Sequence, residues 1–177
     1  MSTTDLPVWK DGRFQADDWT RLDADDASAL PSGSAIVAPL SALLADPERF
    51  LAHDGPLGVE VQPGEDVRGL APHLEKLALI ALAFPAFSDG RSYSAARLLR
   101  ERLCYAGELR AIGDVLADQI PLMRRCGVTS FAVSHAPTRA ALEAGRLAEV
   151  RYHYQPIPTA PDEAPAGTRP WLRQQAG

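Results

Sequence analysis

From residue 34 onward, short apolar runs alternate with amphipathic stretches. The runs "SAIVAPL" (34–40), "LGVEVQP" (57–63), "LALIALAFP" (77–85), "GELRAIG" (107–113) and "VTSFAVS" (128–134) have the length and composition of strands. Between them, helical spacing of apolar residues predicts helices over 41–53, 68–78, 92–103, 118–126 and 137–150. The third run is apolar at successive positions, the pattern of a strand covered on both faces. Upstream, "LPVWKDGRFQ" places two short pieces around Asp11-Gly12, a pair suited to a tight hairpin turn.

Strand followed by helix, five times over, predicts an α/β fold. About five successive βα units would form a parallel sheet, as a partial TIM-like barrel or a doubly wound open sheet, with an N-terminal β-hairpin. The chain divides into a hairpin (1–22), a polar linker (23–33), the α/β domain (34–155) and an extended Pro-rich tail (156–177). Local signals support the parse. Gly127 follows Arg124 and Arg125 as a helix-terminating glycine does, with cations at the negative end of the dipole. Pro47 predicts that the first helix starts late or bends.

Composition narrows the function classes. The formal net charge is -5, which argues against a dedicated nucleic-acid binder. The charge is uneven: the first thirty residues carry seven aspartates against three basic residues, while residues 91–125 carry seven arginines against four acids. Cys104 and Cys126 stand apart, without a CxxC or a Cys/His cluster, so neither a cysteine-built metal centre nor a disulfide framework is expected. With no apolar signal region and no run of membrane length, a soluble cytoplasmic protein without a membrane partner is expected.

In either architecture ligands bind at the carboxyl ends of the strands. The best candidate there is "SDGRSYS" after the third strand. It feeds a helix N-terminus, where free amides and the dipole attract an anion, and Arg91, Ser92 and Ser94 are the candidate anion-binding residues. Arg97, Arg100 and Arg102 are expected to solvate the outer face of the following helix. Asp114, after the fourth strand, and His135, after the fifth, are the candidate acid–base residues. His53, His73 and His153 have no paired spacing, so no metal site is expected. No GxGxxG, P-loop or HExxH occurs, and the cofactor stays unassigned.

The blocks "GRSYSAARLLRER", "GELRAIGDVLADQ" and "RCG", with "WKDGRF" and "GVEVQPGEDV" further upstream, resemble an uncharacterised bacterial family labelled as oxidoreductases of sulfite reduction. Cys104 stands where that pattern has glycine, and Val128 where it has phenylalanine. The resemblance implies a place in assimilatory sulfur metabolism beside the sulfite reductase haemoprotein, and carries over no catalytic residues. Three readings follow: an accessory protein or oxidoreductase of sulfite reduction holding an oxyanion at Arg91; a non-redox enzyme using Asp114 and His135 on an anionic small molecule; or a scaffold whose basic helix face docks sulfite reductase. Open sheet edges are compatible with a homodimer.

Overall fold

The computed structural model describes residues 6–23 and 30–147, together with the backbone of three C-terminal strands. The hairpin forms as its turn signal predicts. β1 (Val8–Lys10) pairs antiparallel with β2 (Arg13–Gln15), and Asp11 and Gly12 take φ of 52° and 78° in the turn. β3 (Thr20–Arg21) lies in what reads as polar sequence. β4 (Ile36–Pro39), β5 (Leu57–Val61), β6 (Leu77–Phe84), β7 (Glu108–Gly113) and β8 (Ser130–Ala132) fall on the five apolar runs.

The expected architecture needs correction. The sheet is mixed and eight-stranded, in the order β2-β1-β8-β7-β6-β5-β4-β3, and curls into a half-barrel rather than forming a parallel sheet of five βα units. Two additions make the difference. β1 pairs antiparallel with β8 and brings the hairpin onto that edge, while β3 joins β4 in parallel on the other. A doubly wound sheet would carry helices on both faces. Here Leu43, Phe50, Leu70, Ala96, Leu99, Ile120, Met123 and Leu142 share one buried cluster with Ile36, Val59, Ile80, Leu82, Leu109 and Phe131. The helices therefore cover a single face.

Alternation along the strands explains that cluster. In β6, Ile80, Leu82 and Phe84 point to the helices, while Ala81 and Ala83 belong to a separate inner cluster with Val8, Ile112 and Ala132. The strand is apolar at both sets of positions because both faces are covered.

The connections are shorter and less regular than expected. α1 (Leu40–Ala45) and α2 (Pro47–Leu51) break at Asp46, whose carboxylate caps Arg49 N at 3.2 Å. Val67–Lys76 is a 3₁₀ run containing Pro72, which lacks the amide an α-helix interior needs. α3 (Arg91–Arg97) continues into a π-type turn over Leu98–Arg102. α4 (Ile120–Arg125) and α5 (Ala136–Glu143) complete the layer. Cys104 takes φ of 53°, the left-handed region that favours glycine, which gives the glycine of the resembling family a backbone reason. In the C-terminal segment β9 (Tyr152–His153), β10 (Glu163–Ala166) and β11 (Arg169–Gln175) form a second, antiparallel sheet in the order β10-β11-β9. The rest of the segment expected as an extended tail lies outside the described residues, as do residues 24–29 of the linker and 148–150 of the last expected helix.

Arg100 does not solvate the outer face. Its Nε donates to Gly127 O at 3.0 Å and its Nη1 to Gly107 O at 2.8 Å and to Tyr105 O. The guanidinium also lies over the Tyr105 ring, 5.6 Å from its centroid. Three carbonyls on the approaches to β7 and β8 are thus held by one side chain. A Cβ at Gly127 would fall 2.3 Å from Arg100 Cγ, so the glycine that ends α4 also makes room for this arginine. Arg100→Met keeps the stem and deletes the donors. It should lower unfolding free energy by about 3 kcal/mol in a denaturant titration, whereas Arg97→Met, which loses only an exposed pair to Glu101, should stay within about 0.5 kcal/mol.

Candidate functional site

Two polar assemblies stand out, one at the carboxyl edge of the sheet and one on its inner face. At the carboxyl edge, loop 62–68 after β5 and the first turns of α3 enclose a cleft of about 290 Å³, whose polar lining includes Gln62, Glu65, Arg68, Arg91, Ser92 and Ser94. Loop 62–68 is held by its own side chains. Glu65 Oε2 accepts from Gln62 N at 2.6 Å, and Asp66 Oδ1 accepts from Arg68 N at 3.0 Å and pairs with the Arg68 guanidinium, Nε at 3.2 Å.

Arg91 stands at the start of α3 with its side chain 63% exposed. Asp89 grips it along one edge, Nε to Oδ1 at 3.0 Å and Nη2 to Oδ2 at 2.7 Å, and also accepts from Arg91 N at 3.2 Å. These hydrogen bonds hold the Asp89 carboxyl below its usual range and raise the Arg91 guanidinium above its own. The remaining edge of Arg91 faces loop 62–68, where a Cβ on Gly64 would come within 3.0 Å of Nη1. Gly64 has φ of 94°, so its turn and the space for the guanidinium call for the same residue.

The other expected site residues are placed as follows. Ser92 is buried and its hydroxyl donates to Ala83 O at 2.5 Å, so its proton tethers α3 to β6. Ser94 is exposed on the cleft wall. Asp114 is exposed just beyond β7; Gly113, with φ of 94°, brings Asp114 N to Phe84 O at 2.7 Å. His135 is exposed before α5, with Nδ1 2.9 Å from Thr138 Oγ1, which itself accepts from Ala117 N at 3.1 Å. Arg91, Ser92 and Ser94 come together in one cleft, and neither Asp114 nor His135 lines it.

The second assembly was missed by the sequence reading. On the inner face Glu108 and Arg110 of β7 stand two residues apart and therefore side by side. Glu108 Oε1 accepts from Arg110 Nε at 3.0 Å, from Arg110 Nη2 at 2.8 Å and from Ser130 Oγ at 2.6 Å, and its Oε2 accepts from Lys10 Nζ at 2.6 Å. Arg110 Nη1 reaches Asp17 Oδ1 at 2.6 Å. The Arg110 and Asp17 side chains are 6% and 4% exposed, which makes this a buried ion cluster. Two cations meet two carboxylates, so the cluster is neutral as a whole. The available signal is "GELRAIG" itself: charges at alternate positions of a central strand require a polar partner on that face.

Burial pushes the Glu108 carboxyl up, but the hydrogen bonds from Lys10 and Ser130 and the Arg110 charge outweigh it and leave the pKa lowered. A carboxyl lowered on folding stabilises the fold above its unfolded pKa of about 4.3, and that contribution disappears as pH falls through the folded value. Unfolding free energy should therefore be level from about pH 7 to pH 5.5 and drop below about pH 5. Glu108→Gln should cost about 3 kcal/mol at neutral pH and make the acid limb shallower, read by urea titrations across the pH range.

Among the described residues no group of three or more His, Cys, Asp and Glu side chains is placed to hold a metal ion, and no helix is long and apolar enough to cross a membrane. No curated protein matches the sequence. A family model described as a bacterial protein of unknown function (DUF934) matches residues 58–165, more than half of the chain and a span that includes the whole carboxyl-edge cleft. The chain belongs to this DUF934 family.

Proposed function

We propose that the protein is an accessory protein of assimilatory sulfite reduction that holds a small oxyanion in the cleft between loop 62–68 and α3. The observation that carries the binding half is the geometry of Arg91. Asp89 fixes one edge of the guanidinium, and the other edge faces the cleft with no acceptor on Nη1 among the described residues. Such an arginine is oriented before any ligand arrives, so an incoming oxyanion meets a charge-assisted donor at little conformational cost. Ser94 on the α3 wall and Arg68 on the loop wall add polar groups within the same 290 Å³ space.

The Asp89 carboxylate also limits affinity, because it already balances the Arg91 charge. Binding is therefore weak and reversible, as suits a protein that passes a ligand on. An accessory role fits this cleft better than catalysis, since the two acid–base candidates, Asp114 and His135, lie outside its lining. The pathway half of the reading rests on the family resemblance carried by the "GRSYSAARLLRER", "GELRAIGDVLADQ" and "RCG" blocks.

Calorimetric titration of the protein with sulfite, sulfate and phosphate should give saturable binding of at least one. Arg91→Ala should weaken it by about tenfold or more, while Arg97→Ala leaves it unchanged. Absence of saturable heat with all three anions would reject the binding half. The pathway half is tested separately, by whether the purified protein associates with the sulfite reductase haemoprotein in sedimentation.

A further inference from the structure

The inner-face ion cluster has one member that does not belong to the sheet or its hairpin. Lys10, Glu108, Arg110 and Ser130 sit on paired strands, at positions in register across β1, β8 and β7. Asp17 comes instead from residues 16–19, which join β2 at one edge of the sheet to β3 at the other. Asp17 lands on Arg110 of β7. Trp19 lands on β5, where a Cβ added to Gly58 would lie 3.1 Å from Trp19 Cζ3. Since β6 lies between β7 and β5, the segment crosses the inner face over β6, near Leu79 and Ala81, which pair with Gly58 and Arg110 respectively. Ala16 and Asp18, the alternate residues, are exposed.

We propose that residues 16–19 form a releasable strap, and that Asp17 is an internal ligand occupying a carboxylate site on Arg110. Three observations carry this. First, among the described residues no backbone hydrogen bond ties 16–19 to the sheet, and backbone pairing resumes only at Thr20 N to Ala35 O, 2.8 Å. The strap is held by two side chains. Second, the cluster remains paired without it: Glu108 keeps Lys10, Ser130 and both of its bonds from Arg110, and only Nη1 loses its acceptor. Lifting the strap leaves two cations on one carboxylate, a net positive charge that calls for another anion in place of Asp17. Third, the group vacated is a single guanidinium nitrogen, held in position by the bonds of Arg110 to Glu108, which can donate to a carboxylate from another source once Asp17 has left. The ligand class is thus a carboxylate, either of a small molecule or of an acidic side chain on a partner. Local release of this kind draws on the low end of a protein's opening free energies, below that of the strands.

Native-state thiol labelling tests the strap. Ala81→Cys places a thiol beneath it, and two native cysteines serve as references: exposed Cys104 and Cys126, buried in the helix-side core. The introduced thiol should react at least about tenfold faster than Cys126 in the same molecule, and Asp17→Asn should speed it by about tenfold more without moving the Cys126 rate. Equal rates for the introduced thiol and Cys126 would show that the strap opens only on global unfolding and overturn the proposal, even if Asp17→Asn fails to fold. The carboxylate site is read by acetate on Asp17→Ala. About 100 mM acetate, against chloride at equal ionic strength, should raise its melting temperature by a degree or more and leave the native protein, whose site is filled, unmoved. No acetate-specific shift in the variant would overturn the assignment of the site.

Discussion

The shape of this sheet depends on one short piece of chain. The two edge strands, β2 and β3, are successive in sequence and separated by residues 16–19 alone. Laid flat, eight strands at their usual spacing would put those edges about 33 Å apart. The five Cα–Cα steps from Gln15 to Thr20 span at most about 18 Å. A flat sheet is therefore impossible, and the strands must curl until the edges come within reach. Natural strand twist supplies the sense of the curl, and the link sets how far it must go.

Curling toward the link leaves two unequal faces. The outer one is broad and is covered by helices and the 3₁₀ run, whose apolar residues merge with those of the strands into one core. The inner one is narrow and admits little besides the strap. Its residues accordingly divide into small or apolar ones, Ala81, Ala83, Ala132, Val8 and Ile112, and a polar group centred on Arg110. A charge on such a face would be prohibitive alone. It is tolerated because Glu108, Asp17, Lys10 and Ser130 meet at hydrogen-bonding distance and leave the group neutral.

Periodicity was enough to locate β4 to β8, because each is an apolar run flanked by turn residues and each buries a helix-facing stripe. It could not reveal β3, where two polar residues pair with β4 by backbone alone. It also could not reveal that the hairpin returns to β8, since contacts between residues about 120 apart leave no mark on local pattern. The same division holds for the sites. Only the α3 wall of the cleft was legible, because Arg91, Ser92 and Ser94 are near neighbours in sequence, whereas loop 62–68 comes from more than twenty residues upstream. Ser92 was misjudged in one respect: its hydroxyl is spent on Ala83 O, a contact across nine residues. The Lys10–Asp17–Glu108–Arg110–Ser130 group is assembled from three distant segments. Only the alternation of charges in "GELRAIG" hinted at it.

The arginines of residues 91–125 illustrate why counting charge is a poor guide to a binding surface in an acidic protein. Arg110 is buried between two carboxylates, Arg100 is consumed by three carbonyls, and Arg97 is paired one turn along its helix. Each has a structural task that its position in the strand or helix determines. Arg91 differs because its partner, Asp89, is only two residues away and can engage just one edge of the fork. Proximity in sequence limits how completely one side chain can satisfy the other. That geometric shortfall, and not the local excess of positive charge, is what leaves the Arg91 guanidinium turned toward the cleft.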